Sequence, residues 1–129
     1  SFAAYCRKKL GYFPIIIIVE PSYAPCLQKS IEMEKLTSVN GPASTMGRLD
    51  CKYPSRQAFY SLSKTANAFV SITENESLKG TKFLAKRGIN ISQSSSAGFV
   101  ALQKLNQRGE FLLDKKARVL CVFSEGIMI

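Results

Sequence analysis

With 129 residues, 46% of them hydrophobic, the chain can build one packed core and is short for two. Its aliphatic run Ile15–Val19 is only five residues, against the roughly 20 that a membrane helix needs, so no membrane span is expected. The net charge of +9 comes from 18 basic and 9 acidic residues. The bases are scattered (Arg7, Lys8 and Lys9, then Lys29, Lys35, Arg48, Lys52, Arg56 and the pairs Lys86–Arg87 and Lys115–Lys116), without a basic tract or interleaved aromatics. Specific nucleic-acid binding is therefore not expected.

Ser1 leads directly into FAAYCRKKL, which reads as the inside of an amphipathic helix and suggests either a processed or truncated product or a start left by removal of an expression tag. The periodicity predicts a helix over Phe2–Leu10, with Phe2, Tyr5, Cys6 and Leu10 on one face and Gly11 ending it. After Pro14, the β-branched run from Ile15 to Glu20 reads as a strand buried on both faces, stopped by Pro21. Ser22 reads as the N-cap of a helix over 23–31, with Pro25 in its first turn. Residues 35–53 read as irregular. Within them begins STMGRLDCKYPS (Ser44–Ser55), where Met46 and Cys51 are soft apolar residues in a polar segment and Gly47 permits a tight path.

Pro54 and Ser55 set up a helix over 56–65, which leads to a strand at Ala68–Ile72. Thr73-Glu-Asn-Glu76 is a capping box for a helix that runs to about Arg87 and closes at Gly88. Ile89–Ile91 reads as a short extended piece. SQSSSAG then opens a helix, Ala97–Gln107, with Ala97, Ala101, Leu102 and Leu105 inward and Gly109 ending it. Arg118–Phe123 reads as a third strand with Cys121 in the core. This alternation predicts a single α/β domain over 1–129, a three-layer αβα arrangement with a mainly parallel sheet.

Four cysteines, at 6, 26, 51 and 121, occur without a CxxC pair, and there is no histidine. That pattern supports neither a metal site nor a Ser-His or Cys-His nucleophile, and it suggests a reducing compartment, hence the cytoplasm. Asn75-Glu-Ser77 and Asn90-Ile-Ser92 match the glycosylation sequon and are read as unmodified. No P-loop or GxGxxG is present. Helix capping accounts for Glu74 and Glu76 and an exposed turn for Glu32 and Glu34, leaving no carboxylate pair for acid–base work. In parallel sheets ligands gather at the carboxyl ends of strands, here Glu20–Ser22, Ser71–Thr73 and Phe123–Gly126. Capping is the better reading of Ser22 and Thr73. Ser124–Gly126 is open between a site and a terminal turn.

Five segments, taken together and in order, resemble diaminopropionate ammonia-lyase and its relatives, pyridoxal-phosphate enzymes of the tryptophan-synthase-like fold. Ile17-Ile-Val-Glu-Pro21 resembles the family's strand followed by Glu-Pro, and Ser44–Ser55 its TIMAGLxCGEPS segment. Asn67–Thr73 resembles its DAFVSV strand, Gln93–Leu102 its ESGAAGLAAL helix start, and Val119–Gly126 its last strand with Thr-Glu-Gly. The similarity covers the whole chain and corresponds to the C-terminal part of such an enzyme. It implies part of the large domain of that fold, with Ser124 near the pyridine nitrogen and Gln93 and Ser94 bordering the cofactor pocket. The Schiff-base lysine and the glycine-rich phosphate loop belong to the part that precedes this one, and no lysine here matches the Schiff-base position.

Arg48, Lys52 and Tyr53 stand where the family has glycine, glycine and glutamate, and Gln93 replaces a glutamate. These departures would crowd a pocket wall and remove an ionisable group. The resemblance therefore implies a lyase, eliminating ammonia from a small amino acid in the complete enzyme, with this chain alone inactive, binding no cofactor and containing no catalytic residue. The alternative is a non-catalytic binding or assembly module on the same scaffold. Either way the partner is a second copy, in a homo-oligomer, or a missing N-terminal portion.

Overall fold

Two strands, β1 (Ile17–Pro21) and β2 (Ala68–Ile72), pair in parallel, with Val19 opposite Val70 and Glu20 opposite Ser71. They belong to a computed structural model that describes residues 2–9, 14–109 and 113–127. A parallel pair cannot be joined by a tight turn, and the crossover here carries α2 (Cys26–Glu32) and α3 (Arg56–Thr65). Before it stands α1 (Phe2–Lys9), and after it α4 (Glu74–Ala85) and α5 (Gln93–Arg108).

Side chains alternate across a strand, and that separates two packed faces. Val19, Val70 and Ile72 meet α5 through Ala97, Val100 and Ala101, with Met46 completing the cluster. The other face of β1 carries Ile18 and Glu20 toward Cys26 and Leu27 of α2. Helices thus cover both faces of a small parallel sheet, the α/β architecture expected from the sequence.

α4 and α5 pack closely because Gly80 has no side chain. A Cβ built there would lie 2.2 Å from Val100 Cγ2. Gly80→Ala is expected to destabilise the fold by about 1–3 kcal/mol in urea unfolding. Adding Val100→Ala should return part of that loss, less than additively with the cavity it leaves. A Gly80→Ala variant as stable as the parent would contradict the contact.

Several sequence expectations hold in detail. Thr73 and Glu76 form the reciprocal capping box, and Ser55 caps α3 by accepting the Ala58 N–H. Gly88 and Gly109 have positive φ (79° and 66°), and Ile89 N–H returns to the Leu84 carbonyl to close α4. Others need correction. β1 begins two residues later than expected and includes Pro21, while Ile15 is exposed. α5 starts at Gln93 with Ser92 as its cap, so the serine run forms its first turn. Leu102 is only partly buried. α1 buries Ala3 and Cys6 but leaves Tyr5 60% exposed; Leu10, Gly11 and the Phe2 side chain lie outside the described residues.

Ser22 does not cap α2. The helix spans Cys26–Glu32 with Pro25 at its N-cap, and the Glu20 carboxylate accepts the N–H groups of Leu27 (2.8 Å) and Gln28 (2.7 Å). Arg118–Phe123 is not a strand. A β-branched run becomes one only beside a ladder partner, and among the described residues the only pairing near it is the single antiparallel bridge of Ile91 with Gly126. Val119, Leu120 and Val122 are accordingly exposed, and Cys121 is half-buried rather than in the core.

Candidate functional site

The carboxyl end of β2 runs straight into the first turn of α4, and α5 begins beside it. Small hydroxyls hold the two helix starts together: Ser77 Oγ donates to the Gln93 carbonyl (3.3 Å), and Thr81 and Ser96 share a hydrogen bond of 2.9 Å. The segment Ser44–Arg48 lies across them. Ser44 Oγ donates to Glu74 Oε1 (2.7 Å) and Thr45 N–H to Glu74 Oε2 (2.8 Å). The Thr45 hydroxyl also reaches Glu74 Oε2, and it lies 2.8 Å from Gln93 Oε1. Arg48 N–H donates to Ser94 Oγ at 3.2 Å.

A third segment arrives from beyond α5. Glu125 accepts from Ser92 Oγ (2.5 Å) and from Arg48 Nε (3.2 Å), and its N–H donates to Ser95 Oγ (3.2 Å). Gln93 and Ser94 are therefore brought together, with Thr45 and Arg48 as their partners. Ser124 is carried to the same helix start by its neighbour Glu125, but it is exposed and has no hydrogen bond among the described residues.

The carboxylates carry the electrostatics. Burial pushes Glu74 up, but the hydrogen bonds from Thr45 and Ser44 outweigh it, and its pKa ends below the usual carboxylate range. Glu76 behaves alike: burial raises it, and Thr73 and Lys104 bring it below. Lys104 Nζ bridges the Ser71 carbonyl (3.1 Å) and Glu76 (3.0 Å). Lys52 Nζ holds the carbonyls of Tyr23 and Pro42, both at 2.8 Å, and pairs with Asp50 at 2.7 Å. That bond to Lys52 lowers the Asp50 pKa.

Of the three residues expected to crowd a pocket wall, Tyr53 is exposed and Lys52 ties its loop to the Tyr23 carbonyl, whereas Arg48 joins the polar cluster through Ser94 and Glu125. Gly47 is not needed for close packing, since a Cβ there would meet nothing within 4 Å. Cys26 is an inert thiol: burial, then the Glu20 charge, push its pKa up to about 11. The sequence reading missed Ser44, Thr45 and Glu74 as members of the cluster, whereas Glu125 lies in the Ser124–Gly126 segment it left open between a site and a terminal turn. Glu74 has a local explanation as a first-turn acid, which concealed its long-range partners.

The model of the pyridoxal-phosphate dependent enzyme family matches residues 1–125. The chain belongs to this family. No curated protein matches it significantly. Among solved structures, a fungal L-serine ammonia-lyase from Rhizomucor miehei aligns with a TM-score of 0.83 at 15% identity over 98% of this chain. Threonine deaminase from T.th. aligns at 0.74 and 15% over 82%, and serine racemase from Dictyostelium discoideum at 0.68 and 18% over 84%. These likenesses establish the fold. The chain spans 36% to 41% of the length of those proteins.

Members of this family use pyridoxal phosphate, but the described residues do not fit the whole cofactor. The ammonium groups nearest the cluster by their contacts, Lys52 and Lys104, already hold carbonyls and carboxylates. At the start of α5, the cap residue Ser92 gives its hydroxyl to the Glu125 carboxylate and accepts the Ser95 N–H, so the protein's own groups occupy the place where an anion would be welcome. What the cluster offers is a hydroxyl at Ser124, an amide at Gln93 and a serine at 94 on one side of a prospective pocket.

Proposed function

We propose that this chain is the C-terminal portion of a pyridoxal-phosphate-dependent lyase resembling diaminopropionate ammonia-lyase, which in complete form eliminates ammonia from an amino acid. The observation that supports this most is the convergence of Ser44–Arg48, Gln93–Ser94 and Ser124–Glu125 on one helix start. Those are the segments whose motifs resemble that family. In this reading Ser124 meets the pyridine nitrogen, Gln93 and Ser94 border the cofactor, and Glu125 holds Ser124 in place. The cofactor supplies the electron sink of the elimination. The 129 residues form one domain and work in a reducing cytoplasm, with four free thiols consistent with that setting.

By itself the chain is proposed to be inactive. Mixing it with pyridoxal phosphate, reducing with borohydride and mapping lysines by mass spectrometry is expected to give no stoichiometric adduct. A stable adduct at one lysine would overturn this. Ammonia release from diaminopropionate by the complete protein tests the substrate, and turnover of serine or threonine alone would replace it.

A second reading, a non-catalytic binding or assembly module, draws on the Arg48–Glu125 pair, which fills the helix start with the protein's own charges. In both readings the exposed run Val119–Phe123 meets a second copy or a complementary portion of the fold. Monodisperse monomers by light scattering would count against the second copy.

A further inference from the structure

The Thr45 hydroxyl has one proton and two neighbours placed to receive it. Glu74 Oε2 is in hydrogen-bond contact with it, and the side-chain amide of Gln93 meets it at 2.8 Å. Glu74 is an acceptor throughout. Its carboxylate takes the Ser44 hydroxyl at 2.7 Å and the Thr45 N–H at 2.8 Å, and these bonds hold its pKa below the usual range. A charged acceptor outcompetes a neutral one, so the hydroxyl proton goes to Glu74. Thr45 Oγ1 then has only lone pairs to offer.

The oxygen and nitrogen of an amide have nearly the same shape, and hydrogen bonding decides which is which. With its carbonyl toward Thr45, Gln93 would set two acceptors face to face. With its NH₂ there, all three groups are satisfied in one chain, Gln93 to Thr45 to Glu74. The other arm of the amide, the carbonyl oxygen, then has no hydrogen bond among the described residues.

Gln93 is the first residue of α5, where the helix dipole ordinarily favours an acid. A glutamate at that position would face Glu74 across a single hydroxyl, and the pair would be satisfied only if one carboxyl kept its proton. The other charges around the cluster come in pairs: Arg48 with Glu125 at 3.2 Å, Lys52 with Asp50 at 2.7 Å and Lys104 with Glu76 at 3.0 Å. They leave Glu74 as the carboxylate that decides which charge position 93 tolerates.

We propose that Glu74 and Thr45 are positioning residues that fix the Gln93 amide, so that position 93 stays neutral and its carbonyl oxygen is the acceptor left to the candidate site. The orientation stands on these contacts alone. What the acceptor faces rests on the reading of Gln93 as a border of the cofactor pocket, where it suits a ligand group that carries a donor, an ammonium or a hydroxyl.

The test uses the whole isotope-labelled chain. In nuclear magnetic resonance the Gln93 NH₂ should show an Overhauser contact with the Thr45 methyl and one slowly exchanging proton. Thr45→Ser should keep the slow proton and Thr45→Val should lose it. Two protons that exchange alike in the parent overturn the orientation, and that measurement needs no variant to fold. Gln93→Glu tests the charge through urea unfolding. A carboxyl whose pKa is higher in the folded state contributes stability below the unfolded pKa and loses it as pH rises through the folded one. The unfolding constant of Gln93→Glu relative to the parent should therefore rise at least about tenfold from about pH 4 to about pH 8, the size of a one-unit difference in pKa. In a Glu74→Gln background, measured against Glu74→Gln alone, that rise should vanish. A ratio that stays flat in the first case, or a rise that survives in the second, overturns the coupling. Failure of the lyase reading, seen as diaminopropionate left unturned by the complete protein, would leave all of these results as they are.

Discussion

Met46→Ala is expected to cost about 2–5 kcal/mol, the range for emptying a fully buried methionine site. Met46 is completely buried although it lies in a segment without helix or strand. It closes the cluster of Ile72, Ala97, Val100 and Ala101, with Val19, Leu49 and Val70 packed around it. The residues on either side of it make the polar contacts of the site: Ser44 and Thr45 reach Glu74, and Arg48 reaches Ser94 and Glu125. A single side chain thus ties the candidate site to the core. Met46→Leu, nearly equal in volume, should cost less than about 1.5 kcal/mol. Equilibrium urea unfolding of both variants checks this. An alanine variant within about 0.5 kcal/mol of the parent would mean that the 44–48 segment is not anchored as described.

Glu20→Ala is expected to cost about 2–3 kcal/mol, because it leaves the Leu27 and Gln28 N–H groups without the acceptor that α2 uses in place of an ordinary cap. Glu20→Gln should be intermediate, since one amide oxygen can serve one of the two donors and the amide NH₂ opposes the other. The same residue predicts a pH dependence. Burial raises its pKa above the usual 4.5, against the lowering by the Gln28 and Leu27 N–H groups. A raised carboxyl pKa means that the folded state holds its proton more tightly than the unfolded chain does. Its contribution is therefore fully present below the unfolded pKa and is lost as pH rises through the folded one. The stability difference between the parent and Glu20→Gln should accordingly narrow as pH rises through that window. A difference that widens there would reverse the assignment.

The local signals in the sequence were legible because their partners lie within one turn. Thr73 and Glu76 cap each other three residues apart, Gly109 ends α5, and the β-branched content of Ala68–Ile72 marks β2. Errors arose where the decisive partner lies elsewhere. Ser22 has the chemistry of a cap, yet Glu20 sits where it can serve two N–H groups at once. Val119–Phe123 has strand chemistry, but β character is realised only beside another strand. Of the site, Gln93 and Ser94 came from resemblance and Ser124 and Glu125 also from the expected strand end at Phe123–Gly126, whereas Glu74 declared itself only through contacts 29 and 30 residues distant.

The bond from Arg48 to Glu125 spans 77 residues. As the chain leaves the ribosome, α4 and α5 can form from neighbours alone and β1 can meet β2 after one crossover. The polar cluster has to wait. Until residue 125 has emerged, Arg48 and Ser92 lack their carboxylate partner. Assembly of the candidate site therefore follows that of the core, and a chain halted before residue 125 would carry a nearly complete core and an unfinished site.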